Sequence, residues 1–378
     1  MISAEKLLAE LIVLPTVNPA FLAPGHPWAG EKRAAEYLAA VAARGGLEVE
    51  LEPAVSERPI LLATCRPSGK VRQRILLAPH LDTVGGDENT EELFQPRKAG
   101  GRLFGRGACD TKGSAAAMMS ALLDLAGNPG RPAHTEVVFA GLIDEENQQW
   151  GSRHLVARRF KADLGIVGEP TSLRVVTAHK GDLWLQLECR GRSAHGAQPA
   201  RGQNAIHAMA RVVASLETGY ADFLKRRPHP LLGPATINVG VIEGGQQPNI
   251  VPSRCLIQVD RRTLPGETES SVRREIAGWL RRQGLVCSCK NAKPVECLPL
   301  ATDPHLPLVR QFCEQAGQHE PRGVEYFCDA SVLAHGGIPS VVFGPGNIAQ
   351  AHTAREWISL RELEFARRLI LRFLRSLP

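Results

Sequence analysis

The 378-residue chain has nine cysteines but no CxxC pair; the closest two, Cys287 and Cys289, are separated by one residue. That spacing excludes a CxxC zinc or redox motif, and an odd number of thiols in a long chain reads as reduced core cysteines of a cytoplasmic protein. There is no long apolar run. The best stretch, residues 114–123, stops at Asp124, far short of the ~20 residues a membrane helix needs. Glu5, Lys6 and Glu10 interrupt the apolar residues of the first fourteen positions, so no secretory leader is expected there. Nor is there a block of like charge: the formal net charge is +6, and its nearest thing to a basic run is Lys225, Arg226 and Arg227 without interleaved aromatics. A nucleic-acid partner is not expected from this pattern. Two nucleophile and metal signatures, GxSxG and HExxH, are also absent.

What is present is an ordinary globular composition, 43% hydrophobic and 22% charged, at a length that suits two domains. Leu7, Leu8, Leu11 and Ile12 share one helical face before Pro15. A second amphipathic stretch, residues 31–43, stops at Gly45-Gly46. Short β-rich runs follow at residues 47–51, 60–65 and 74–78, the last apolar throughout, as a buried strand should be. A small-residue helix is predicted over 113–126, then buried strands over 135–143 and 163–167. Three of these strands end in chemistry: His80, Glu145-Glu146 and Glu169. In open α/β sheets, ligands gather outside the carboxyl ends of strands.

From about Val175 the style changes to strand 182–189, helix 203–216, strands 235–242 and 255–260, helix 269–282 and strand 285–290. That βαββαβ order is a ferredoxin-like unit. The rest, with a helix at 329–334, a strand at 340–343 and an amphipathic helix at 360–377, returns to α/β. The expectation is a discontinuous mixed-sheet α/β domain of residues 1–174 and 292–378, with residues 175–291 inserted.

His80 and Asp82, at alternate positions after a strand, project the same way. One suits a metal and the other suits orienting it. Residues 105–113 form a glycine-punctuated loop, but Asp110 stands where a phosphate loop needs glycine. A carboxylate on a tight loop suits a bridging ligand, one cation for each oxygen. Asp144, Glu145 and Glu146 permit one carboxylate to bind metal while its neighbour stays free as a base. His352 follows the turn Gly344-Pro345-Gly346, whose backbone N–H groups suit a carboxylate. His195 lies in a loop of the inserted unit.

His80-x-Asp82, Asp110, Glu145-Glu146, Glu169 and His352, in that order, resemble the M20 family of metallopeptidases and amidohydrolases. Residues 105–113, 168–171, 191–195, 248–252, 260–267 and 351–353 most resemble its acetylornithine deacetylase and succinyl-diaminopimelate desuccinylase branch. The likeness covers essentially the whole chain. It implies two Zn²⁺ or Co²⁺ ions bridged by Asp110, one also held by His80 and Glu169, the other by Glu146 and His352. Glu145 would then be general base, and Asp82 would orient His80. By the same resemblance His195 would reach the partner subunit's active site in a homodimer. Asn249, Arg262, Gly344 and Gly346 would bind substrate, and the inserted unit would be a lid and dimerisation domain. The expected reaction is hydrolysis of the amide of a small N-acyl amino acid. A dipeptidase or carboxypeptidase on the same site is the alternative, and a non-catalytic metal-binding module is disfavoured by the intact Glu145. Residues 147–150, Asn-Gln-Gln-Trp, stand where many relatives carry glycine, a departure that bears on the substrate pocket.

Overall fold

Buried strands set the architecture. In a computed structural model describing residues 2–55, 57–86, 91–127 and 130–378, the runs Gln73–Pro79, Thr135–Gly141 and Leu164–Gly168 are strands whose interior residues are almost wholly out of water. Gln73–Pro79 lies between the other two and runs parallel to both. All three carboxyl ends therefore open on the same edge. Ser340–Val342 extends the parallel set beside Leu164–Gly168, while the hairpin Glu48–Val55 and Arg58–Cys65 adds antiparallel strands beyond Thr135–Gly141. The result is a mixed sheet, as expected for this α/β class.

The chain divides into two compact units, residues 1–177, 302–322 and 328–378 in one, and 178–301 with 323–327 in the other. The sequence reading drew the inserted segment as 175–291. Residues 292–301 and the short return 323–327 also cluster with the second unit; neither stretch has a hydrophobic period that would mark its partner in the sequence.

In the first unit, helix Lys112–Ala126 is buried on nearly every side. Its small residues allow close approach. A Cβ on Gly168 would lie 2.7 Å from the Ser114 Cβ, and one on Gly344 would lie 2.3 Å from the Ser114 hydroxyl. Two strand ends thus rest directly on the start of this helix. Helix Leu360–Arg375 buries Leu363, Ala366, Leu369, Ile370, Phe373 and Leu374 and exposes an arginine-rich face; Ser359 caps its N-terminus by accepting from the Glu362 N–H. Phe312, on helix Pro307–Gln315, makes edge-to-face contacts with Phe343 at 5.2 Å and Phe373 at 4.9 Å.

The second unit is a four-stranded antiparallel sheet in the order Thr236–Gly244, Arg254–Thr263, Gly181–Arg190, Ser288–Asn291. Helices Ala205–Ala214 and Glu269–Arg282 bury Ala205, Met209, Val212, Val272, Ile276 and Leu280 in its core. This is the βαββαβ pattern read from sequence. The first helix runs on through a π turn, Ser215–Tyr220, into Ala221–Lys225. Among the described residues no helix is long and apolar enough to cross a membrane, and no cysteine pair forms a disulfide.

Phe312→Ala removes a fully buried ring between two others. It should cost the first unit about 3–5 kcal/mol, read as a lower urea midpoint with an unchanged slope. A loss below about 1 kcal/mol would show that these aromatics do not tie the returning segment to the core.

Candidate active site

Each chemical side chain sits where an apolar strand runs out. His80 follows Gln73–Pro79, Asp144 to Glu146 follow Thr135–Gly141, and Glu169 follows Leu164–Gly168. Asp110 comes from the loop before helix Lys112–Ala126, through a cis Asp110–Thr111 peptide bond. His352 comes from the loop beyond Ser340–Val342, in the left-handed region at φ 58°.

Asp110 is the centre of the cluster. Its Oδ1 lies 3.1 Å from His80 Nε2, and its Oδ2 lies 3.3 Å from His352 Nε2. Glu169 Oε1 is 3.8 Å from His80 Nε2, and Glu146 Oε1 is 3.2 Å from His352 Nε2. Among the described residues, two groups of three bring ligand atoms within 4.8 Å of one another: His80, Asp110 and Glu169, then Asp110, Glu146 and His352. Glu145 belongs to neither group and is itself buried.

Asp82 does more than the sequence assigned to it. Its backbone carbonyl, 3.0 Å from His80 Nδ1, is closer to that nitrogen than its carboxylate, at 3.5 Å. The Nδ1–H donates to this carbonyl, leaving Nε2 facing Asp110. The carboxylate holds the segment after strand Thr135–Gly141: Oδ1 accepts the Glu145 N–H and Oδ2 the Glu146 N–H, each at 3.1 Å.

Behind Asp82 lies a buried network that sequence reasoning missed. The Asn18 amide nitrogen donates to Asp82 Oδ2 at 2.8 Å and to Asp144 Oδ1 at 3.0 Å, while its oxygen accepts the Ala20 N–H. That third bond fixes which end of the amide faces the carboxylates. Arg58 pairs with Asp144 at 2.9 Å and makes a two-pronged contact with the buried Glu31. Glu31 in turn accepts the Asp144 N–H. Under the Asp110 loop, the carboxylate of Glu356 accepts N–H groups from Gly107, Cys109 and Asp110. An asparagine before proline reads locally as a turn signal, and nothing near Glu31, Arg58 or Glu356 in the chain marks them as partners of a site.

Four carboxylates crowd two imidazoles, and the protonation pattern reflects it. Burial and then the charge of Glu169 raise the Glu145 carboxyl well above its ordinary range; burial likewise raises Glu169 and Glu146. Burial opposes a charged His80, but its hydrogen bonds to Asp110 and Asp82 and the nearby Glu169 charge hold its imidazole protonated well above the usual range. Hydrogen bonds to Asp110 and Glu146 push His352 up to about 10. Asp110 goes the other way: burial opposes its charge, and the contacts to His352 and His80 keep it ionised.

The remaining residues singled out by sequence are divided between the two units. Gly344 donates its N–H to Thr171 Oγ1 and Gly346 donates to Glu362 Oε2. Both N–H groups of the turn are thus bonded within the protein, and a Cβ on Gly344 would lie 2.5 Å from the Glu169 carbonyl. His195, Asn249 and Arg262 belong to the second unit. His195 is exposed, and its Nδ1 accepts the Ala197 N–H, which leaves the proton on Nε2. The Asn249 carbonyl accepts the Gly196 N–H at 2.7 Å, so these two loops are neighbours. Arg262 is engaged by Asp260 at 3.1 Å and stacks over Phe327. In the departing segment 147–150, Gln149 adopts φ 59° and its side-chain amide is buried without a hydrogen-bond partner.

A family model described as peptidase family M20/M25/M40 matches residues 76–376. The acetylornithine deacetylase of Myxococcus xanthus is 32% identical over 321 residues, covering 83% of this chain and 82% of its own. Among solved structures, the aminopeptidase PepT of Bacillus cereus ATCC 10987 superposes with a TM-score of 0.77 at 22% identity, over 99% of this chain and 98% of its own. A Bacillus subtilis protein described as a dinuclear metal-binding peptidase of the M20 family superposes with a TM-score of 0.72 at 12% identity, over 98% and 96%. Fold and sequence agree: the chain belongs to peptidase family M20/M25/M40.

Proposed function

We propose that this protein is a metal-dependent amidohydrolase that removes the acyl group from an N-acyl amino acid, as an acetylornithine deacetylase does. The observation that carries the reading is the pair of ligand triads sharing Asp110 with Glu145 left outside both. The residues fit two divalent cations. Ligands around a tetrahedral Zn²⁺ at 2.0–2.1 Å stand about 3.3 Å apart, and the separations of Asp110 from His80 and His352 are 3.1 and 3.3 Å. Glu169 Oε1 is buried with no hydrogen-bond partner, as an unfilled ligand atom would be.

His80, Asp110 and Glu169 are the proposed ligands of one ion, and Asp110, Glu146 and His352 those of the other. Zn²⁺ is the favoured metal, and Co²⁺ suits the same donors. Such ions supply Lewis acidity, polarising the scissile carbonyl and making water acidic near neutral pH. Glu145 takes a proton from the attacking water as the C–O bond forms, then gives it to the amine nitrogen as the C–N bond breaks. The second proton of the water follows it to the amine, so the products are a carboxylate and an ammonium. Asp82 keeps Glu145 aimed by holding the N–H groups of Glu145 and Glu146. His195, with its proton on Nε2, is the proposed hydrogen-bond donor to the carbonyl oxygen, acting across a homodimer. Residues 175–291 are read as the lid and dimerisation segment, with Asn249 and Arg262 as substrate contacts. A cytoplasmic location is supported by nine cysteines without a disulfide.

Chelator-stripped protein should be silent toward N-acetyl, N-succinyl and N-formyl amino acids, and should release free amine when Zn²⁺ or Co²⁺ is restored. Activity that ignores the chelator would defeat the proposal. Glu145→Gln should lower kcat by about 10²–10⁴-fold while two cations per chain remain bound by elemental analysis. A variant that keeps full turnover would remove Glu145 from the chemistry.

The stripped protein should also respond to pH. Its folded imidazoles bind protons more tightly than the unfolded chain does, His352 at about 10 against an ordinary 6.5. Their stabilisation is complete below about 6.5 and is lost as pH rises through about 10. The raised carboxyls of Glu145 and Glu169 add a loss of the same sign above 4.5. Burial lowers the Lys112 ammonium to about 7, which opposes the loss from there upward; the raised groups outnumber it, so Tm of the stripped protein should fall from pH 6 to 10, and added Zn²⁺ should flatten the fall. A Tm that rises over that range would contradict the charge arrangement.

A further inference from the structure

The glycine-punctuated loop that opens helix Lys112–Ala126 has the look of an anion cradle, and the structure shows an anion in it. The anion is the protein's own Glu356. Glu356 Oε2 accepts the Gly107 N–H at 2.9 Å, and Oε1 accepts the N–H groups of Cys109 at 2.8 Å and Asp110 at 3.0 Å. Arg106 Nη1 donates to Oε2 at 3.0 Å and to the Thr353 carbonyl at 3.2 Å. The Glu356 carbonyl accepts the Gly105 N–H at 3.0 Å. Glu356 and Arg106 are 3% and 2% exposed, so the pair is closed to water. Three backbone donors and a guanidinium on one carboxylate make a strongly bound, directional plug.

Its position in the chain gives this plug a purpose. Glu356 lies four residues after His352 and directly precedes strand Trp357–Ser359, which pairs with Arg102–Phe104 just before the Asp110 loop. The loop carrying His352 and the loop carrying Asp110 are therefore joined twice near the base of the His352 loop, by β-pairing and by the adjacent Glu356 plug. Just beyond both joints stands the 3.3 Å approach of His352 Nε2 to Asp110 Oδ2. The opposite face of Asp110 has a separate anchor, because Thr111 Oγ1 donates to the His80 carbonyl at 3.0 Å.

We infer that Glu356 is a positioning residue for the two-cation centre, holding the His352 loop against the Asp110 loop and so setting the affinity of the ion bound by Asp110, Glu146 and His352. The inference rests on the two-cation reading above. It predicts an asymmetry, since the His80, Asp110 and Glu169 triad keeps the Thr111 anchor when Glu356 is changed.

The test is calorimetric titration of Zn²⁺ into chelator-stripped wild type, Glu356→Gln, and the double variant Arg106→Gln/Glu356→Gln, which leaves no buried charge without its partner. Wild type should show two binding events; a single event there would sink the two-cation reading itself, whatever Glu356 does. In a variant that is folded by circular dichroism, one event should weaken at least tenfold while the other stays within threefold. Excess Zn²⁺ should restore kcat. Two events with wild-type affinities would overturn the inference. Equal weakening of both, or failure of both variants to fold, would overturn it too, by making Glu356 a general structural residue.

Discussion

Too much negative charge, held out of water by its own strands, is the condition on which the rest of this structure depends. Asp110, Glu145, Glu146 and Glu169 meet around two imidazoles at the ends of buried parallel strands. Carboxylates in that setting must take up protons, find cations or be hydrogen-bonded. In the protein alone, protons go to His80 and His352 and onto the raised glutamates. Divalent cations would replace those protons, which links metal affinity to pH through the same groups that hold the metal.

Two buried supports hold the charges in place. One stands behind the strand end, where Asp82, Asn18, Asp144, Arg58 and Glu31 alternate donors with acceptors so that no pair of carboxylates meets unscreened. The other stands under the loop, where Glu356 and Arg106 pair. Breaking such a buried pair from one side is costly because the remaining charge has nowhere to go. Precision at the centre and stability of the first unit are thus carried by the same bonds.

The cluster was legible in sequence where local pattern reports it. Apolar runs followed by His80, Glu145-Glu146 and Glu169 mark strand ends, and strand ends of a parallel sheet share an edge. The βαββαβ order was legible for the same reason, since hydrophobic period distinguishes its strands from its helices. Asn18 was not: its partners Asp82 and Asp144 lie 64 and 126 positions away, and no period links them. At Gly344 and Gly346 the glycine turn advertises N–H groups, but not that Thr171 and Glu362 accept from them in the folded chain. The glycine loop at 105–113 was read as a poor phosphate cradle; its anion comes from the chain 246 positions beyond Asp110.

The central claim is that two cations share Asp110. Anomalous diffraction from crystals grown with Zn²⁺ tests it most directly. The account predicts two peaks, one among His80, Asp110 and Glu169 and the other among Asp110, Glu146 and His352. A single peak, or a peak bound by Glu145 in place of Asp110, would contradict it.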